Sequence, residues 1–308
     1  MTIARALVSF LALASVTLLA DEPAASTAPK PPEVTFTTVE IEGYLNSFKG
    51  TYKNAKLPQE DAVSLLDSLK KAYRFLADKG DQLTKDEAKL KQRIVDTVAK
   101  GLQVKNRDHV SQECAKALGE LGDPAGAKPV AEWLDKVVLD SRTPNPVFLE
   151  YGFQALAYIG VEDPAILDDL IISYGTGRHT DPGVATEVMK AVPNWRHLSG
   201  KNRKALFDRL NQYVGSVYND RKNPERFDRI KDTALDMLTA LAGEAQKFPD
   251  PPAVTKWWSE NKKANWADYV GRPFQPKPAD PKDKPAGKEG EGEKKEGGEG
   301  GKKDEGKS

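Results

Sequence analysis

One thiol and three imidazoles are the side chains of this chain best suited to chemistry: Cys114, His109, His179 and His197. A thiol attacks as its thiolate, which needs exposure and a lowered pKa. Cys114 instead sits on an apolar stripe, where a free cysteine behaves as a small buried hydrophobe. None of the histidines belongs to a ligand motif such as His-Glu-x-x-His. Asp168-Asp169 and Glu162-Asp163 are carboxylate pairs, but adjacent helical residues do not face one another, and no loop has calcium-ligand spacing. Gly175-Thr-Gly177-Arg178 lacks the Gly-Lys-Ser/Thr ending and the preceding strand of a phosphate loop. These residues predict no catalytic residue, no metal and no cofactor.

Binding is the better prospect. Positive and negative charges balance over the chain, so no long-range field selects a polyanion. Locally they separate. Leu118 to Lys190 holds twelve acidic and five basic residues, net −7, and Arg196 to Lys231 holds ten basic and four acidic, net +6. Arg196, Lys201, Arg203, Lys204, Arg209, Arg221 and Arg226 are the expected basic patch. They lack the interleaved aromatics of a single-strand binder, so no nucleic acid is expected. Of the five tryptophans, Trp133 and Trp195 fall on core stripes. Trp257 and Trp258 cannot both point inward on one helix, so one of them is expected to offer an interface aromatic.

The elements that position these residues are helices. Val110, Cys114, Ala117, Leu118 and Leu121 have the spacing i, i+4, i+7, i+8, i+11, which is one helical face. Gly122 follows as a left-handed stop. Asp123 then caps a second helix that has Pro124 at its start. Val130, Trp133, Leu134, Val137 and Val138 form that helix's own stripe. Two stripes on one hairpin cannot cover each other fully, so neighbours are required.

The register repeats. Adding 38 to the first stripe gives Phe148, Gly152, Ala155, Leu156 and Ile159, and adding 36 more gives Val184, Val188, Ala191, Val192 and Trp195. Ile230, Ala234, Met237, Leu238 and Leu241 form a fourth copy. Leu65, Leu69, Ala72, Tyr73 and Leu76 lie upstream with the same spacing. Second helices follow at Leu167 to Tyr174, Leu206 to Val217 and Val254 to Trp258. Asp163-Pro164, Asp181-Pro182 and Asp250-Pro251 restate the cap, and Thr84-Lys-Asp-Glu87 is a capping box. Two helices per period of this length mark an α-solenoid.

Ala117-Leu-Gly-Glu-Leu-Gly-Asp-Pro124 resembles a HEAT repeat, close to the subtype named after phycobilisome-lyase HEAT-like repeats. Ala155-Leu-Ala-Tyr-Ile-Gly160 with Asp163-Pro164 is a more diverged copy. The resemblance covers Val110 to Tyr174 well and Asp181 to Val217 more weakly. It implies an all-α fold, a right-handed superhelix of about five HEAT-like hairpins. It also implies a scaffold that binds a protein partner, usually on the surface of the second helices. Similar repeats occur in bilin lyases and a few nucleic-acid enzymes, so fold alone does not assign function.

The ends bound this array. Arg5 followed by an apolar run from Ala6 to Ala20 has the form of a secretory signal peptide. The expected organisation is a leader over 1–20, a linker and poorly defined segment over 21–56, the array over 57–270, and a disordered Pro/Gly/Lys/Glu tail over 271–308. Within 34–52 a loop and then a short helix over Ile41 to Lys49 are expected. No integral span is expected once the leader is removed, and the compartment is expected to be periplasmic or extracellular. The leading expectation is a non-enzymatic scaffold of the bacterial envelope. The alternatives are a lyase or isomerase using Cys114 or a histidine in a groove, and a module docking on anionic envelope polymers.

Overall fold

The computed structural model describes residues 35–243 and 245–273. The expected leader at 1–20, residues 21–34 and all but the first three residues of the expected tail at 271–308 lie outside them. The described residues are helical, with no strand beyond an isolated bridge between Leu198 and Tyr269.

Among the described residues eleven helices follow one another. They are α1 (Thr38–Tyr52), α2 (Gln59–Asp78), α3 (Lys85–Gly101), α4 (Asp108–Leu121), α5 (Ala127–Trp133, continued by a π-helical turn Leu134–Val138) and α6 (Pro146–Ile159). Then come α7 (Pro164–Ile166, continued by a π-helical turn Leu167–Ile172 and by Ser173–Gly175), α8 (Pro182–Ala191), α9 (Gly200–Tyr218), α10 (Pro224–Ala242) and α11 (Pro251–Asn261).

The local chemistry explains the boundaries. Gly122 and Gly160 end α4 and α6 with φ of 61° and 75°, the left-handed conformation that spares a Cβ clash. Asp123, Asp163, Asp181 and Asp250 accept backbone N–H groups at the next helix starts, at 2.8–3.0 Å. Thr84 and Glu87 form the reciprocal capping box.

Helix α2 packs on α4, α4 on α6, α6 on α8, and α8 on α10. The intervening helices lie against this row: α3 on α2 and α4, α5 on α6, α7 on α8, α9 on α10. Helix α11 packs on α9. Of the residues in the five register-matched stripes only Leu65 and Phe148 are partly exposed; the others are buried. Helices α4 and α6 approach closely where Gly119 lies against the Ala155 backbone and leaves no room for a Cβ.

Four local expectations need correction. The folded body begins upstream of residue 57. Thr37 and Glu40 form a capping box, and Ile41, Leu45, Phe48 and Tyr52 are buried against α2 and α3, so α1 is a full helix of 15 residues. At the other end the chain stays packed past 270: Gly271 and Arg272 donate backbone N–H to Trp195 and Pro193. Val137 is 51% exposed, because the π-helical turn carries it off the α5 stripe and leaves Val138 and Leu139 to face inward. Trp257 and Trp258 are both half-buried, with ring centroids 5.3 and 5.2 Å from that of Phe207. One large ring between them serves both sides of the helix.

Candidate functional site

Cys114 is fully buried, and a Cβ on Gly101 would strike its sulfur. Burial, followed by the nearby Glu113 charge, pushes its thiol well above the ordinary value. The side chain fills space between α3 and α4 and is not poised as a nucleophile.

The histidines are apart. His109 is exposed in the first turn of α4. His179 Nδ1 accepts from the Asp181 N–H at 3.0 Å, so its Nε2–H donates to the Ser141 carbonyl at 2.9 Å. His197 is exposed and lies between two carboxylates, Nδ1 at 3.3 Å from Glu162 and Nε2 at 3.5 Å from Asp268. Glu162 also accepts from the Ser199 N–H, the Ser199 hydroxyl and the Asn202 amide, and Asp268 accepts from the Gly200 N–H. This network caps α9 with acids from the α6–α7 turn and the C-terminal segment. No sequence signal marked it, because its members are 35 residues or more apart along the chain, apart from those at the α9 start. Among the described residues no three His, Cys, Asp or Glu converge as metal ligands.

The turn at Gly175–Arg178 spends its N–H groups on helix carbonyls: Gly177 donates to Tyr174 and Arg178 to Ser173. Nothing remains to cradle a phosphate.

The expected basic patch does not assemble. Arg203 is structural: it donates to the carbonyls of Leu241 at 2.7 Å and Ala267 at 3.0 Å and stacks on Trp266 and Tyr269. Desolvation lowers its pKa. Arg196 donates to the Gly122 carbonyl at the end of α4. Lys201 stands in the first turn of α9 and Arg221 lies past its last turn, with a helix roughly 28 Å long at 1.5 Å per residue between them. Arg226 lies 4.0 Å from Asp220. Only Lys201, Lys204 and Arg209 share α9 with no ionic partner among the described residues.

Trp257, Trp258 and Trp266 pack edge-on and tilted around Phe207, so they close the C-terminal end of the core. Beside them a shallow groove of about 390 Å³ runs between α9 and α11, past Tyr218, Pro251 and Lys256. A second of about 480 Å³ lies between α1 and α3, and Glu42, Glu87 and Arg93 line it.

Charge is handled differently on the two sides of the helix row. Between first helices α2 and α4, Lys70 reaches Glu120 at 3.0 Å and Arg74 reaches it at 3.6 Å, while on α10 exposed Asp228, Arg229, Lys231 and Asp232 mix both signs with no ionic partner among the described residues. On α7 and α9, exposed Asp168 and Asp169 and the cations Lys201, Lys204 and Arg209 carry no ionic partner among the described residues.

No protein-family model, no curated protein and no solved structure matches this chain.

Proposed function

We propose that the chain is an α-solenoid of HEAT-like hairpins, an exported, non-enzymatic scaffold whose second helices form the binding face for a protein partner. The order of packing supports the solenoid: α2, α4, α6, α8 and α10 touch in sequence, each with a second helix alongside. A stack of this kind buries one continuous core and leaves two long faces.

The observation that carries the choice of face is the segregation of charge by helix: α7 carries exposed Asp168 and Asp169 and α9 carries Lys201, Lys204 and Arg209, whereas exposed Asp228, Arg229, Lys231 and Asp232 mix both signs along α10. The second-helix side keeps unmet charge of both signs, available to a complementary surface. The enzyme alternative is left with its histidine route, since Cys114 is buried. The anionic-polymer alternative lacks its continuous basic strip, since the seven cations point to different places.

Photo-crosslinking side chains placed at Asp169 and Lys204, and for comparison at Lys71 and Arg74, test the face in the full chain in its native extract. Protein adducts are expected from the first pair. Adducts confined to the second pair would overturn the assignment.

A further inference from the structure

We propose that the second-helix face is self-complementary and docks on the same face of a second copy of this chain. This rests on the scaffold reading and names the partner. Helix α7 presents Asp168 and Asp169, both exposed because they fall off the stripe of buried Leu167, Leu170 and Ile171. The next second helix, α9, presents Lys201, Lys204 and Arg209. The two helices adjoin, with Leu210 and Tyr213 of α9 against Gly175 and Gly177 at the end of α7. The contrast is confined to these two helices: the α5 side mixes exposed Asp135, Lys136, Asp140 and Arg142, and the α11 side mixes exposed Lys256, Glu260, Lys262 and Lys263.

A two-fold axis between α7 and α9 turns this contrast onto itself. Helix α7 of one copy then meets α9 of the other, α5 meets α11, and every contact is made twice. Val137, the large apolar side chain that its π-helical turn leaves 51% exposed, comes to the tryptophan-bearing α11 of the second copy. The size suits a dimer. Four helices spaced 8–10 Å and about 20 Å long offer roughly 700 Å² per copy, close to the roughly 800 Å² a specific interface needs.

Sedimentation velocity of the full chain at about 0.01 M and about 1 M salt, where screening lengths are roughly 30 and 3 Å, reads the association directly. A dimer is expected at low salt, with its dissociation constant at least about tenfold weaker at high salt. The variants D168K/D169K and K201E/K204E should each be monomeric at low salt, and their equimolar mixture should restore a dimer. These sites lie outside the core, and circular dichroism checks that each variant is folded. If either fails that check, D168N/D169N replaces it and should weaken the low-salt dimer several-fold.

A chain monomeric at both salts, a dimer unmoved by either variant, or folded variants that stay monomeric when mixed would each overturn the proposal. A monomeric chain whose Asp169 crosslinker captures a different protein overturns self-association while leaving the scaffold reading standing. A face that yields no adduct at all removes both.

Discussion

Arg107 donates from Nη1 to the Thr51 carbonyl across 3.0 Å, bringing a buried guanidinium to the end of α1. It also bonds the carbonyls of Asn54 and Pro58, and no carboxylate is paired with it among the described residues. Helix α1 ends there, so its negative pole faces the cation. Hydrogen bonds to a charged group are worth about 1.5–3 kcal/mol each, so Arg107→Met should cost on the order of 3 kcal/mol in chemical denaturation. Arg107→Lys should recover little of it, because an ammonium cannot replace the planar fork. A neutral Arg107→Met would show that α1 docks by its apolar face alone.

Two glycine substitutions with opposite signs report on the packing. Gly43→Ala in α1 meets open space and should stabilise by up to about 1 kcal/mol through helix propensity. Gly119→Ala drives a methyl group into the Ala155 backbone and should destabilise by about 1–3 kcal/mol. Thermal melts of the two variants should shift in opposite directions.

The same positions show what was legible beforehand. The stripes, the glycine stops and the aspartate caps are local signals, set by 3.6-residue periodicity and by the geometry of helix ends, and they place the core correctly. Thr37-x-x-Glu40 was equally local, and that capping box was there to be read. Arg107 was not legible, because its three acceptors lie 49–56 residues upstream and a lone arginine in a turn reads as solvated. The basic patch failed for a related reason. Composition gave the sign of the 196–231 stretch, but Arg203 is drawn inward by carbonyls and rings from α10 and the C-terminal segment. The π-helical turn that exposes Val137 had no sequence mark.

Acid should weaken the α2–α3 junction. The Lys79 ammonium, and then the Thr84 backbone and hydroxyl, lower the Glu87 pKa from 4.5 to about 2. The unfolded chain therefore binds this proton more tightly. The stabilisation is complete above pH 4.5 and disappears as pH falls toward about 2. Glu87→Gln should lower stability near neutral pH and flatten the fall across that window. An unchanged acid limb in the variant would contradict the assignment.

Cys114 should be protected from thiol reagents in the native protein and react stoichiometrically once the chain is denatured. Its native labelling rate should follow global opening, as expected for a side chain in the deepest core. Fast labelling without denaturant would restore the thiol route of the enzyme alternative.

The stacking of hairpins in a row is tested most directly by a spin-label distance between exposed sites Lys71 on α2 and Arg229 on α10, measured by pulsed electron paramagnetic resonance. Four steps of 8–10 Å between neighbouring helices predict a narrow distribution centred at about 35 Å. A distribution below about 20 Å, the span of two such steps, would mean that α2 and α10 close on one another in a bundle, and the extended binding face would not exist.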